Sequence, residues 1–265
     1  MKIYISADLE GICGTSHWDE VTRGNERYPE FQKQMTAEVV AACRGAIDAG
    51  AEEIWIRDGH DSAKNIIGAE LPENSRLIRG WSRHPYMMMQ ELDSSFTAAI
   101  MIGYHARGGS DGNPLAHTMS SRVALLTING QPASEFLINY YTSLHEEVPV
   151  VFVSGDKELC DHAADIVPAI VSVSVKYGSG DSTVNLHPDR ACEQIQEGVN
   201  RSLAGDLSDC LQSLPNRFEV ETTYSSSLDA YKNSFFPGAE LITPQTVRFD
   251  ADDYFEVLKF FLFTL

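Results

Sequence analysis

The sequence predicts an α/β fold: a largely parallel sheet flanked by helices, followed by a smaller α+β subdomain. Two observations predict it. In the first part of the chain, short apolar runs of β type alternate with segments of helical periodicity, which is the rhythm of a parallel sheet covered by helices. From about residue 170 that rhythm gives way to alternating polar and apolar stretches around a single long helical segment. We expect an α/β core over 1–175 and a subdomain over 176–265, with one continuous domain as the other possible division. A chain of 265 residues can bury enough apolar surface for either.

Each element can be argued in turn. The opening KIYISADLEG reads as a strand that closes on Asp8 and Glu10. After a polar loop, FQKQMTAEVVAACRGAIDAGA repeats apolar residues at helical spacing and stops at Gly50. EEIWIRD is the next strand, followed by the loop DGHDSAKN, which carries His60, and a short apolar piece at Ile66 and Ile67. HPYMMMQELDS predicts a helix whose packed face holds Met87, Met88 and Met89. TAAIMIGYH is a strand ending at His105, and a long polar loop runs from Ala106 to Pro114. SRVALLTINGQPASE places an Asn-Gly pair between extended stretches, a hairpin turning at Asn129 and Gly130. ASEFLINYYTSLHEE is a helix with Ser134 as its cap and Glu135 at its start. VPVVFVSGD and KELCDHAADIV add a strand and a helix, and VSVSVKYG, the helix ACEQIQEGVNRSLA, FEVETTYSS and AELITPQTVRFDADD follow. The closing LKFFLFTL is too short to cross a bilayer, so it predicts a buried terminal element or a contact between subunits.

Composition narrows the function. The 38 acidic against 20 basic residues give a formal charge of −18, which disfavours nucleic acid and anionic membrane surfaces as partners. With a carboxylate at Asp8 and no long apolar run near the start, a cytoplasmic protein is expected. Five cysteines without a CxxC pair read as reduced thiols. The glycine-rich GSGDS matches no nucleotide-binding loop.

Five residues that can ligate a metal, Asp8, Glu10, His60, His105 and Glu135, fall at or just after the ends of these runs, with His117 nearby. Open α/β sheets gather their chemistry at the carboxyl ends of the strands. In an extended chain Asp8 and Glu10 point to one face and reach one point. Carboxylates and imidazoles are the usual protein ligands of catalytic zinc, and a two-metal site needs a bridging carboxylate, for which Asp8 is well placed. Individually each has a plainer reading: Asp8 and Glu10 as a solvated turn or helix cap, and His60 as a loop histidine with Asp58 as ligand or as supporting partner. His117 can act as general base or acid, or simply orient substrate. Asn65, Arg107, Gly108 and Gly109 either contact substrate or shape the loops. The remaining histidines, His17, His84, His145, His162 and His187, read as structural or surface residues. Cys13 with His17 lacks the strand-to-helix elbow of a thiol nucleophile.

With these residues in view, the chain resembles the D-aminopeptidase DppA family of binuclear zinc peptidases. The resemblance rests on SADLEG at 6–11, DGHDSAKN at 58–65, GYHARGG at 103–109, AHTMS at 116–120, NGQPASE at 129–135, and the later PGAELI and VRF segments. It covers nearly the whole chain in register. It departs at DGHD, where the family often has Ser after the Asp, and in a longer, glycine-rich loop between His105 and His117. The resemblance implies that Asp8, Glu10, His60, His105 and Glu135 bind two zinc ions with Asp8 shared, and that His117 is the catalytic histidine. It further implies an aminopeptidase that removes N-terminal D-amino acids such as D-Ala from short peptides. Ten subunits in two stacked rings of five, enclosing the active sites, would be the assembly. Two rivals stay open: a two-metal hydrolase of a non-peptide amide or phosphoester, and a non-catalytic metal-binding assembly protein. Phosphoesters call for cations that the motifs lack apart from Arg107, and structural zinc sites are usually closed and cysteine-rich.

Overall fold

A computed structural model describes residues 1–265. The chain runs β1 (Lys2–Ala7), α1 (Trp18–Val21), α2 (Tyr28–Asp48), β2 (Glu53–Asp58), β3 (Ser75–Ile78) and β4 (Ala98–Tyr104). It continues through β5 (Val123–Ile128), β6 (Gln131–Pro132), α3 (Glu135–His145), β7 (Val150–Asp156), α4 (Lys157–Ile166), β8 (Val171–Ser179), β9 (Ser182–Asn185) and α5 (Pro188–Ala204). It ends with β10 (Phe218–Tyr224), α6 (Ser227–Asn233), β11 (Ala239–Thr243), β12 (Thr246–Ala251) and α7 (Tyr254–Thr264).

Seven strands form one sheet in the order β3-β2-β1-β4-β7-β8-β9, parallel throughout except for the antiparallel edge strand β9. The chain leaves β1 for β2 and β3 on one side, then returns to β4 on the other. That reversal opens a crevice above the carboxyl ends of β1 and β4, the place where doubly wound sheets bind ligands. Strand β4, AAIMIGY, is buried at every position, as expected of a parallel strand covered on both faces. Helix α2 starts at a proline-containing first turn and buries Phe31, Met35, Val39, Ala42 and Ala46, one stripe at helical spacing. Gly50, at a φ of 94°, takes the left-handed conformation just beyond its end.

The second sheet is antiparallel, in the order β11-β12-β10-β5-β6. The hairpin between β5 and β6 turns at Asn129 and Gly130 as expected, with φ of 53° and 76°. Residue 175 falls within β8, and the second sheet draws β5 and β6 from one side of that position and β10 to β12 from the other. The apolar C-terminus forms α7, which buries Val257, Leu258, Phe260 and Phe261 and stacks Phe260 on Phe249 at 4.8 Å.

HPYMMMQELDS is not the helix its composition suggests; one 3-10 turn spans Met87–Met89. Met87 and Glu91 take positive φ of 46° and 70°, which a helix excludes. The carbonyls are taken by the sheet beneath: Arg57 Nε donates to Met87, Ser6 Oγ to Met88 and the Tyr4 hydroxyl to Gln90. The methionines are nevertheless buried, as expected. The edge strands β3 and β9 carry mostly half-exposed or exposed residues and gave no alternation to read. No helix is long and apolar enough to cross a membrane.

Candidate metal centre

The carboxyl end of β1 leads directly to Asp8. The strand stops at Ala7, so Glu10 is brought beside Asp8 by a tight turn rather than by strand alternation. Gly11 makes that turn possible: a Cβ there would lie 1.7 Å from the Tyr104 carbonyl oxygen. Gly103, at a φ of 70°, lies so close to the turn that a Cβ would sit 2.4 Å from the Asp8 carbonyl oxygen. The buried Lys176 Nζ donates to the Glu10 carbonyl (2.5 Å) and to Thr15 Oγ1 (2.6 Å), and Asn113 Nδ2 donates to the same Glu10 carbonyl at 3.1 Å. Asp156, the cap of α4, accepts from Asn113 and from the Ala106 backbone, tying the loop after His105 into the same frame.

His60 follows β2, His105 follows β4, and Glu135 opens α3 behind the Ser134 cap. All three side chains converge on Asp8 and Glu10. His60 Nδ1 lies 2.9 Å from Glu10 Oε2 and 3.4 Å from Asp8 Oδ1. His105 Nε2 lies 3.4 Å from Asp8 Oδ2 and 3.6 Å from Glu135 Oε1. The partly buried His117 stacks on His105 at 4.4 Å, with Nε2 3.6 Å from Glu135 and 4.0 Å from Glu10. Asp8, Glu10 and His60 form one group of potential ligand atoms within 4.8 Å of one another; Asp8, His105 and Glu135 form a second; Glu10, His105 and His117 form a third. Asp8 belongs to the first two.

The tautomers follow from the backbone, because a carbonyl can only accept. His60 Nε2 faces the Val21 carbonyl at 2.7 Å, His105 Nδ1 that of Ala106 at 2.8 Å, and His117 Nδ1 that of Leu115 at 2.9 Å. Each ring therefore spends one N–H on the main chain and turns its other nitrogen to the carboxylates, the way metal-ligating histidines are oriented. Three carboxylates buried together are unfavourable without a compensating cation. Burial and the adjacent Glu10 push the Asp8 carboxyl up to about 8. Burial lowers His105, but Glu135 and Asp8 outweigh it and raise the imidazole to about 10. Asp8 Oδ2 and His105 Nε2 are buried without a hydrogen-bond partner. Carboxylate and imidazole donors, two groups sharing one carboxylate, and orphaned atoms facing each other fit a divalent cation.

Asp58 is not among these ligand groups. It accepts from the backbone of Asn65 and Ile66 and from Asn65 Nδ2, and Asn65 in turn donates to the His60 carbonyl and accepts from Tyr28. Asp58 and Asn65 therefore shape the loop that presents His60. Arg107 lies away from the centre, in a separate cavity beside α4 with Glu158 and His162. Cys13 and His17 do not form a pair: Cys13 donates to the Leu186 carbonyl and burial raises its thiol to about 12, while His17 caps α1.

The centre opens into a cavity of about 400 Å³ walled by Trp18, Trp81, Met88, Met119 and Ser120. Sequence reading missed these walls, as well as Lys176 and Asn113. Trp18 packs against His117 at 5.4 Å, and Trp81 donates to the Asp61 carbonyl and lies 4.3 Å from the Arg57 guanidinium. The AHTMS motif held Met119 and Ser120, but Trp18 and Trp81 lay outside every motif. No Lys or Arg lines this cavity.

A cluster of this kind, in the switch-point crevice of an α/β sheet, fits a metal-dependent hydrolase. The profile of the D-aminopeptidase family matches residues 1–263. The D-aminopeptidase of Bacillus subtilis strain 168 is 30% identical over 261 residues, covering 98% of this chain and 94% of that protein. A solved structure, described as the Zn-dependent D-aminopeptidase DppA from Bacillus subtilis, a self-compartmentalizing protease, superposes with a TM-score of 0.92 at 28% identity. It covers 99% of this chain and 96% of that one. The chain belongs to the D-aminopeptidase family, as its motifs suggested, and is a metallo-aminopeptidase, a hydrolase of peptide bonds.

Proposed function

We propose that this protein is a zinc aminopeptidase that removes N-terminal D-amino acids, D-Ala among them, from short peptides, with two zinc ions per subunit. The observation that carries the reading is the pair of ligand groups sharing Asp8, with Asp8 Oδ2 and His105 Nε2 left without partners. Asp8, Glu10 and His60 would hold one ion, and Asp8, His105 and Glu135 the other. Zinc supplies Lewis acidity there, polarising the amide carbonyl and making water acidic near neutral pH. His117 presents Nε2 to the cavity with Nδ1–H fixed on Leu115, so it can take a proton from water and pass it to the leaving amine. Trp18 packs against that ring at 5.4 Å. The absence of cationic side chains from the cavity favours a neutral amide over a phosphoester.

The reading also covers assembly and location. Ten subunits in two rings of five follow from the resemblance and accord with the self-compartmentalizing relative; sedimentation equilibrium tests this. A cytoplasmic site accords with five free cysteines.

The deciding experiment compares hydrolysis of D-Ala-D-Ala and L-Ala-L-Ala by zinc-loaded protein against a chelated blank. Chelator-sensitive cleavage favouring the D-peptide supports the proposal. Preference for the L-peptide discards the D-specific part, and cleavage of neither moves the assignment to a non-peptide amide.

A further inference from the structure

Beside the candidate centre lies a second, smaller cavity of about 230 Å³ to which the reading above gives no role. The two cavities share Asp61, Trp81 and Met119 among their lining residues and so adjoin one another. The end of α7 contributes Phe261, Leu262 and, just beyond it, the terminal Leu265. Drug-sized ligands fill about 300 Å³ or more, so this mostly apolar space suits one aliphatic side chain rather than a whole molecule.

Arg83 also lines the small cavity, and no other Lys or Arg lines either one. The ion pairs that arginines make in this chain belong to Arg76, Arg122, Arg190, Arg217 and Arg248, which leaves the exposed Arg83 free. Arg122 donates to the carbonyl oxygen of Leu265, which also lines this cavity.

The backbone gives an independent sign. Asp61, Arg83, Met87 and Met119 all line the small cavity, and all hold positive φ, at 42°, 68°, 46° and 61°. Such conformations are strained in non-glycine residues and gather at ligand-binding sites. The buried Arg57 braces the wall, donating to the carbonyls of Gly80 (2.6 Å) and Met87 (3.3 Å) beneath Trp81.

We propose that this cavity is the subsite for the residue on the leaving side of the scissile bond. The side chain of that residue enters the apolar space, and Arg83 pairs with its α-carboxylate. The inference rests on the peptidase reading above and narrows it: preferred substrates are free dipeptides whose second residue is aliphatic.

The test measures kcat/KM for D-Ala-D-Leu, D-Ala-Gly and D-Ala-D-Leu amide with zinc-loaded wild type, Arg83→Gln and Leu262→Trp. Wild type should favour the free acid over the amide by about tenfold or more, the worth of one charged hydrogen bond, mostly through KM. Arg83→Gln should bring that ratio toward one. Leu262→Trp, by filling the cavity, should abolish the preference for Leu over Gly while keeping the ratio of acid to amide. An unchanged ratio in Arg83→Gln, or an unchanged Leu preference in Leu262→Trp, overturns the assignment. Wild-type cleavage of all three without either preference overturns the subsite but not the peptidase. Cleavage of none removes the peptidase reading and the subsite with it.

Discussion

Zinc added to the metal-free protein should expel protons, and their number follows from how the centre is charged without metal. Burial and Glu10 raise Asp8 to about 8. Against burial, Glu135 and Asp8 raise His105 to about 10, and Glu10 and Asp8 hold His60 well above its usual value. At pH 7 the metal-free centre therefore carries protons on both imidazoles and largely on Asp8, whereas ligation needs all three groups deprotonated. Binding releases one proton from each imidazole and most of another from Asp8, about two to three per chain. Each released proton makes the binding constant rise tenfold per pH unit, so the sign is fixed: from pH 7 to pH 6 the overall constant for binding both ions falls about 100- to 1,000-fold, or about 10- to 30-fold for each ion. Titration calorimetry at pH 7 in buffers of different ionisation enthalpy reads the proton number as a slope. A slope near zero, or an affinity indifferent to pH, would refute His60 and His105 as ligands.

Four substitutions probe other parts of the argument. His117→Ala should retain the zinc measured by metal analysis yet lose about 100- to 10,000-fold in kcat; loss of an ion instead would make His117 a ligand. Asn65→Ala removes the side chain linking Asp58, Tyr28 and the His60 carbonyl, and should cost about 1–3 kcal/mol in urea unfolding of the metal-free protein. Lys176→Met strips donors from the Glu10 and Thr15 carbonyls, so it should cost about 2 kcal/mol or more and weaken zinc binding, read by competition with a chromophoric chelator. Gly103→Ala forces a Cβ against the Asp8 carbonyl at a φ of 70°, and should cost more than about 1 kcal/mol and lower zinc affinity.

Helices α2, α3, α4 and α5 and the central strands were legible because their burial follows local periodicity, as the α2 stripe and the unbroken apolar run of β4 illustrate, whereas the short α1 and α6 were not read. The second sheet was less so. Its β5 pairs with β10 across about ninety residues, with Val220 opposite Ile128, and nothing local encodes a partner that distant. The turn at Met87 was illegible for a related reason: its carbonyls are claimed by Tyr4, Ser6 and Arg57, residues remote in sequence, which outweigh the helical propensity of the methionines.

At the candidate centre, the six side chains were legible because carboxylates and imidazoles follow several apolar runs and fall within the family motifs, yet the means that gathers them was not. Strand alternation suggested that Asp8 and Glu10 share a face, but β1 ends before them and a turn packed on the Tyr104 carbonyl does the work. The hydrogen bonds that aim the histidines end on the carbonyls of Val21, Ala106 and Leu115, and every residue type has a carbonyl. Side-chain identity therefore reveals which atoms can ligate, while the backbone determines which nitrogen is left free to do so. Substituting Val21, Ala106 or Leu115 should thus leave the orientation of the rings intact, whereas moving their peptide groups should not.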